Sequence, residues 1–236
     1  MNILLSGASG RVGREIERLV ESDPGSRIVG RASAGGFFRD SDRGDVVIDF
    51  SRPELTARTL AFALEHRVAL VVGTTGIDPV LQARIDEAAA SIPICQAANF
   101  SIGVNVLLEL AGRAADALPE SFEAEVFELH HRWKVDAPSG TALELGRAVA
   151  HARGLDDVAP SARAGGERKA GEIGYQVARG GDVVGEHLLM FLGDGERIEL
   201  AHRATDRSVF ARGALHAAAR LAGRAPGSYS FGDLLG

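Results

Sequence analysis

Cysteine is nearly missing from this 236-residue chain, in which Cys95 stands alone. One thiol cannot close an intramolecular disulfide or supply a cysteine-rich zinc site. Neither a disulfide framework nor a metal site is therefore expected, and a reducing cytoplasm is the expected compartment. Cys95 lies in the apolar run Ile92-Pro93-Ile94-Cys95 and reads as a small buried hydrophobe. No stretch approaches the roughly 18 uncharged apolar residues that a membrane-spanning helix requires. The opening Met-Asn-Ile-Leu-Leu-Ser-Gly has no basic region and no long apolar core, so it reads as a strand rather than a signal peptide. Lysine is also scarce: of 26 basic residues only two, Lys134 and Lys169, are lysine. Basic residues form no run or stripe and the net charge is −6, which argues against nucleic acid as a partner.

What is present is enough apolar residue, 45%, to bury a real core. The first hundred residues alternate short apolar runs with helical spacing. Strands are expected at Asn2–Ser6, Ile28–Gly30, Asp45–Phe50, Val68–Val72 and Ile92–Ala97. Helices are expected at Val12–Glu21, Pro53–Glu65 and Pro79–Ala90, with Pro53 suited to a first turn. Such alternation predicts βαβ units and a Rossmann-type parallel sheet with helices on both faces. After residue 100 the character changes. Helices are expected at Val104–Ala117, Thr141–Arg153 and Arg207–Ala222, and strands at Glu123–Leu129, Tyr175–Arg179, Gly185–Leu192 and Glu196–His202. Residues 154–172 read as a long loop. The fold class is thus α/β, with a second α+β domain of mixed or antiparallel sheet.

The first strand runs into Gly7-Ala8-Ser9-Gly10-Arg11-Val12-Gly13 and then a helix. Glycines there permit a sharp turn and close approach of a pyrophosphate, and a helix N-terminus offers free N–H groups to an anion. The spacing is G-x-x-G-x-x-G, a looser form of the dinucleotide fingerprint. An acid after the second strand would hold the ribose hydroxyl of NAD. Here Gly30-Arg31-Ala32-Ser33 offers none, and Arg31 with Ser33 could hold the 2′-phosphate of NADPH. Two further loops follow strands, Gly73-Thr74-Thr75-Gly76 and Ala97-Ala98-Asn99-Phe100-Ser101. Their small residues leave room for a ring.

The densest chemistry lies in Glu128-Leu129-His130-His131-Arg132-Trp133-Lys134-Val135-Asp136-Ala137-Pro138-Ser139-Gly140-Thr141. Two histidines and a lysine sit within five residues and can move protons near neutrality. Ser139 can cap a helix whose N–H groups then face an anion. In so arginine-biased a chain Lys134 points to chemistry, because an arginine binds a carboxylate but does not readily release a proton. A small dicarboxylate would suit such a site. A nucleotide-sensing regulator without redox chemistry, or a dehydrogenase of another small acid, remain open on these residues.

This segment resembles the signature of the dihydrodipicolinate reductase family. In the same order so do the opening glycine loop, Val47–Ser51, Val72–Gly76, Ala98–Asn105, Gly185-Glu186-His187, and His202 through Leu215. The resemblance implies reduction of 4-hydroxy-tetrahydrodipicolinate to tetrahydrodipicolinate with loss of water, using NADH or NADPH, in diaminopimelate and lysine biosynthesis. It implies that Gly7, Ala8, Ser9, Gly10, Arg11 and Val12 bind the pyrophosphate side of the cofactor. Gly73, Thr74 and Thr75, with Ala97, Ala98, Asn99 and Phe100, would line the nicotinamide. His130 and Lys134 would handle protons, and His131, Gly140 and Thr141 would hold substrate carboxylates. It further implies a dinucleotide-binding domain over 1–100 plus 206–236, a substrate domain over 101–205, and a homotetramer.

Overall fold

The computed structural model describes residues 1–155 and 167–236. In chain order the first elements are β1 (Asn2–Ser6), α1 (Arg11–Glu21), β2 (Arg27–Ala32), β3 (Val46–Asp49), α2 (Pro53–His66), β4 (Ala69–Val72), α3 (Pro79–Ala88) and β5 (Pro93–Gln96). Then come α4 (Ile102–Ala117), β6 (Glu123–His130), α5 (Gly140–Ala152), β7 (Ile173–Arg179), β8 (Gly185–Gly193), β9 (Glu196–Ala204), α6 (Ser208–Leu221) and β10 (Gly227–Tyr229). The chain forms two compact units, Met1–Ile102 with Arg207–Gly236, and Gly103–Asp206. Of the loop expected over 154–172, residues 156–166 lie outside the described residues. No helix among the described residues is long and apolar enough to cross a membrane.

The first unit is built on a six-stranded sheet in the order β10-β5-β4-β3-β1-β2, parallel at every pairing. Strand side chains alternate between faces, and here both faces are covered. Ile3, Leu5, Val46, Ile48 and Val71 pack with Ile16 and Val20 of α1 and with Ala211, Ala214 and Ala218 of α6. Leu4, Val47, Leu70 and Ile94 pack on the other side with Leu60 and Ala63 of α2 and Leu81 and Ile85 of α3. Double burial explains why these strands are continuous apolar runs. Helix starts follow local chemistry. Pro53 and Pro79 occupy first-turn positions, and the Asp78 carboxylate accepts the Leu81 N–H at 2.8 Å. The edge strand β10 was not expected.

The second unit carries a four-stranded sheet in the order β7-β6-β8-β9. β6 and β7 run parallel, while β6–β8 and β8–β9 are antiparallel, so the sheet is mixed. A parallel neighbour requires a crossover, and α5 lies within it. One sheet face, with Ala124, Val126, Leu189 and Phe191, packs under Leu107 and Ala111 of α4 and Leu145 and Val149 of α5. The connection from β6 to α5, residues 131–139, thus emerges at a strand C-terminus directly before a helix N-terminus.

Candidate active site

In the first unit the chain leaves β1 for β2 on one side and returns to β3 on the other. Open α/β sheets bind ligands outside strand C-termini at such a reversal. A cleft of about 490 Å³ opens there, lined by Gly7, Ser9, Gly10, Ser33, Phe50 and Arg52 among others. Gly7 has φ +83°, and a Cβ on it would lie 2.2 Å from the Phe50 carbonyl oxygen. A Cβ on Gly13 would lie 2.3 Å from the Gly7 carbonyl oxygen. Only glycine lets the loop and α1 approach so closely. The α1 N-cap, Gly10, supplies no side-chain hydrogen bond, so the first-turn N–H groups of the helix have no side-chain cap.

Of the expected cofactor residues, Gly7, Ser9, Gly10 and Ser33 line this cleft. Ala8 is buried beneath it, Arg11 is exposed, and Val12 packs against the core. Arg31 is not among the lining residues. Its Nε donates to Glu17 of α1 at 2.6 Å, and it borders a separate hollow with Glu17 and Glu21. The cations that do line the cleft are Arg52 and Arg58, the latter 4.4 Å above the Phe37 ring.

Gly73–Thr75 and Ala97–Phe100 follow β4 and β5 at the same end of the sheet. Thr74 is buried. Its hydroxyl accepts the Ser51 N–H at 2.9 Å and donates to Asp49 at 3.2 Å. Asp49 also receives the Ser51 and Thr56 hydroxyls, each at 2.5 Å. Burial pushes its carboxyl pKa up, against the pull of these hydrogen bonds. The side chains of Ser51 and Thr74 therefore tie two loops together. Phe100 is a core side chain, edge-on to Phe50 and to Phe231, with ring centroids 5.3 Å apart in both pairs.

In the second unit, β6 continues one residue past the expected end, which places His130 on the strand. Alternation puts Glu128 and His130 on the face covered by α5. The register sets His187 opposite Glu128 and Arg179 beside His130. The His130 and His187 rings lie 5.1 Å apart, nearly perpendicular. Glu128 is buried, binds Arg179 through two hydrogen bonds and contacts His130 Nδ1. Glu128, His130 and His187 hold ligand atoms within 4.8 Å of one another, a spacing a metal could use. The Arg179 guanidinium, however, already neutralises the carboxylate.

The loop that follows is tied down. The Arg132 N–H donates to the Gly181 carbonyl at 3.3 Å and the Lys134 N–H to the His131 carbonyl at 3.1 Å. Arg179 Nη2 donates to the Asp136 carbonyl at 2.6 Å. Lys134 Nζ reaches both Asp136 carboxylate oxygens, at 2.9 and 2.8 Å. That contact holds the Asp136 carboxyl below its usual range. Ser139 caps α5, its Oγ accepting the Ala142 N–H at 3.2 Å and lying 3.2 Å from His187 Nε2. Gly140 and Thr141 form the first turn of that helix. The expected His130, His131, Lys134, Gly140 and Thr141 thus flank one loop between β6 and α5. Glu128, Arg179 and His187 join the site without having been assigned a role from sequence. The only signal for His187 was its place in the Gly185-Glu186-His187 stretch.

Comparison with known proteins adds a second line of observation. A family model described as dihydrodipicolinate reductase, N-terminus, matches residues 1–100, and one described as dihydrodipicolinate reductase, C-terminus, matches residues 103–235. The chain is 43% identical over 263 residues to the 4-hydroxy-tetrahydrodipicolinate reductase of Anaeromyxobacter sp. (strain Fw109-5), covering 100% of this chain and 98% of that one. It is 45% identical over 247 residues to the like-named protein of Acidiphilium cryptum (strain JF-5), covering 100% and 98%. Among solved structures, the dipicolinate-bound dihydrodipicolinate reductase from Paenisporosarcina sp. TG-14 shares the fold. Its TM-score is 0.77 at 20% identity, covering 98% of this chain and 97% of that one.

Proposed function

The chain belongs to the dihydrodipicolinate reductase family, and on that premise we propose that it reduces 4-hydroxy-tetrahydrodipicolinate to tetrahydrodipicolinate with loss of water, in diaminopimelate and lysine biosynthesis. The observation that carries this reading is the loop from His130 to Thr141. It puts two imidazoles, one of the chain's two lysines and an α-helix N-terminus beside one another.

The first unit fits a pyridine dinucleotide. The α1 N-terminus has no side-chain cap, and at Gly7 a Cβ would strike the Phe50 carbonyl, so only glycine allows this tight bare-backbone turn before the helix. Gly7 to Val12 would hold the pyrophosphate, and Gly73–Thr75 with Ala97–Phe100 the nicotinamide. When bound, the reduced nicotinamide supplies hydride. NADPH is the favoured form in this reading, since Ser33, Arg52 and Arg58 line the cleft against a single carboxylate, that of Glu54.

The remaining work falls to the second unit. Reduction takes up one hydride and one proton and expels one water. The proton must arrive as negative charge develops on the ring, and positioned acid catalysis contributes about 10²–10⁴-fold. Lys134 gives that proton, with His130 assisting. His131 and the N–H groups of Gly140 and Thr141 hold the two carboxylates. Asp136, bound to Lys134 Nζ, holds the amine in place within the loop.

The cytoplasm is the proposed compartment, and a homotetramer the proposed assembly. The sheet face opposite α5 presents Phe127 and Leu188, paired across β6 and β8, with Met190 and Leu192 farther along β8 opposite Glu125 and Glu123, the four apolar side chains being half-buried. Such a seam suits packing against another copy. The direct test is steady-state oxidation of NADPH and of NADH with enzymatically made dicarboxylate. Turnover with a higher kcat/KM for NADPH is expected. Absence of turnover with both cofactors overturns the reading.

A further inference from the structure

One buried carboxylate has no part in that scheme. Glu128 is 1% exposed and stands two residues before His130 on the same sheet face. Its oxygens meet four donors. Oε1 accepts from Arg179 Nη2 at 2.8 Å and from the Ser139 N–H at 3.0 Å. Oε2 accepts from Arg179 Nη1 at 3.0 Å and lies against His130 Nδ1. A carboxylate offers about four lone-pair sites, and all are used. Glu128 is thus a fixed anion rather than a proton carrier.

An ionised carboxylate only accepts hydrogen bonds. His130 Nδ1 therefore carries its hydrogen toward Glu128, and in the neutral ring Nε2 is the basic atom. That atom faces Gly185, where a Cβ would lie 3.0 Å from Nε2 and 3.3 Å from Cδ2. Glycine at 185 keeps this side of the ring clear.

We propose that Glu128 is a positioning residue for the proton-handling step. Its contact with Nδ1 selects the His130 tautomer whose Nε2 faces Gly185. By accepting the Ser139 N–H it also fixes this imidazole relative to the start of α5, where the substrate carboxylates are held. The proposal rests on the reductase reading above. A structural role alone would work through the Arg179 ion pair and would be indifferent to the tautomer.

The test combines NMR of the His130 imidazole nitrogens, at a pH where the ring is neutral, with steady-state kinetics of the full chain. In the unaltered protein the hydrogen is expected on Nδ1. Glu128→Gln keeps the shape and an acceptor for Ser139 but turns an amide N–H toward the ring. The Nε2–H tautomer should then appear, kcat should fall about 10²-fold or more, and KM for the dicarboxylate should change little. Arg179→Lys weakens the same buried pair yet keeps the carboxylate, so stability should fall while Nδ1–H is retained. The proposal is overturned if the unaltered ring carries its hydrogen on Nε2. It is equally overturned if Glu128→Gln changes neither tautomer nor kcat, or if Arg179→Lys switches the tautomer as Glu128→Gln does. Failure of the unaltered protein to turn over the dicarboxylate would remove the reductase reading instead. The tautomer comparison needs no turnover and would still decide the role of Glu128.

Discussion

His187 and Glu128 face each other across β6 and β8, and acid disturbs them in different pH windows. Burial, and then the charge of neighbouring His130, push the His187 pKa down from 6.5 to about 4. A histidine held neutral in the fold gains a proton on unfolding. Its contribution is present above pH 6.5 and is lost as pH falls toward about 4. For Glu128, burial acts upward, but hydrogen bonds from His130 and Arg179 outweigh it and hold the carboxyl at about 2 instead of 4.5. That contribution is lost as pH falls from 4.5 through about 2. Acid unfolding should therefore show two limbs, and His187→Gln should flatten only the upper one. Urea midpoints followed against pH would show this. A variant curve parallel to the unaltered one from pH 6.5 down to about 4 contradicts the assignment.

The same residues show what a sequence can disclose. His130, His131 and Lys134 are close neighbours in the chain, so their chemistry could be read directly. Glu128, Arg179 and His187 come together only through strand register, which residue types alone do not specify. Arg31 illustrates the converse. A cation near the end of β2 was readable, but its ion pair with Glu17 on α1 depends on how that helix packs, and Arg52 and Arg58 line the cleft instead.

At the scale of the element, the start of α5 joins stability to binding. The Ser139 hydroxyl caps the helix through Ala142 and meets His187. Ser139→Ala should cost about 1 kcal/mol of stability and raise KM for the dicarboxylate, because the first turn proposed to hold its carboxylates loses its anchor. An unchanged melting temperature and an unchanged KM would remove Ser139 from both roles. Most elements were legible because their apolar runs and helical spacing are long. The edge strand β10 was not, since Gly227-Ser228-Tyr229 is too short to show alternation and is recognised only by its pairing with β5. β6 was read one residue short because His130 looks polar, while the ladder with Arg179 carries it into the sheet.

At the scale of the molecule, each unit has its own sheet and core. In the second, one sheet face is covered by α4 and α5, and the other leaves Phe127, Leu188, Met190 and Leu192 half-buried, the seam of the proposed assembly. Met190→Glu puts a charge in the middle of that seam. If the proposed tetramer packs there, sedimentation should show this variant as a smaller species than the unaltered chain, and equal sizes would move the interface elsewhere. In the proposed reductase the loop after β6 supplies the proton while the first unit holds the nucleotide. Lys134→Ala separates these duties. Its kcat should fall by about 10²–10⁴-fold while NADPH affinity, read by fluorescence titration, hardly changes. An unaltered kcat would contradict it.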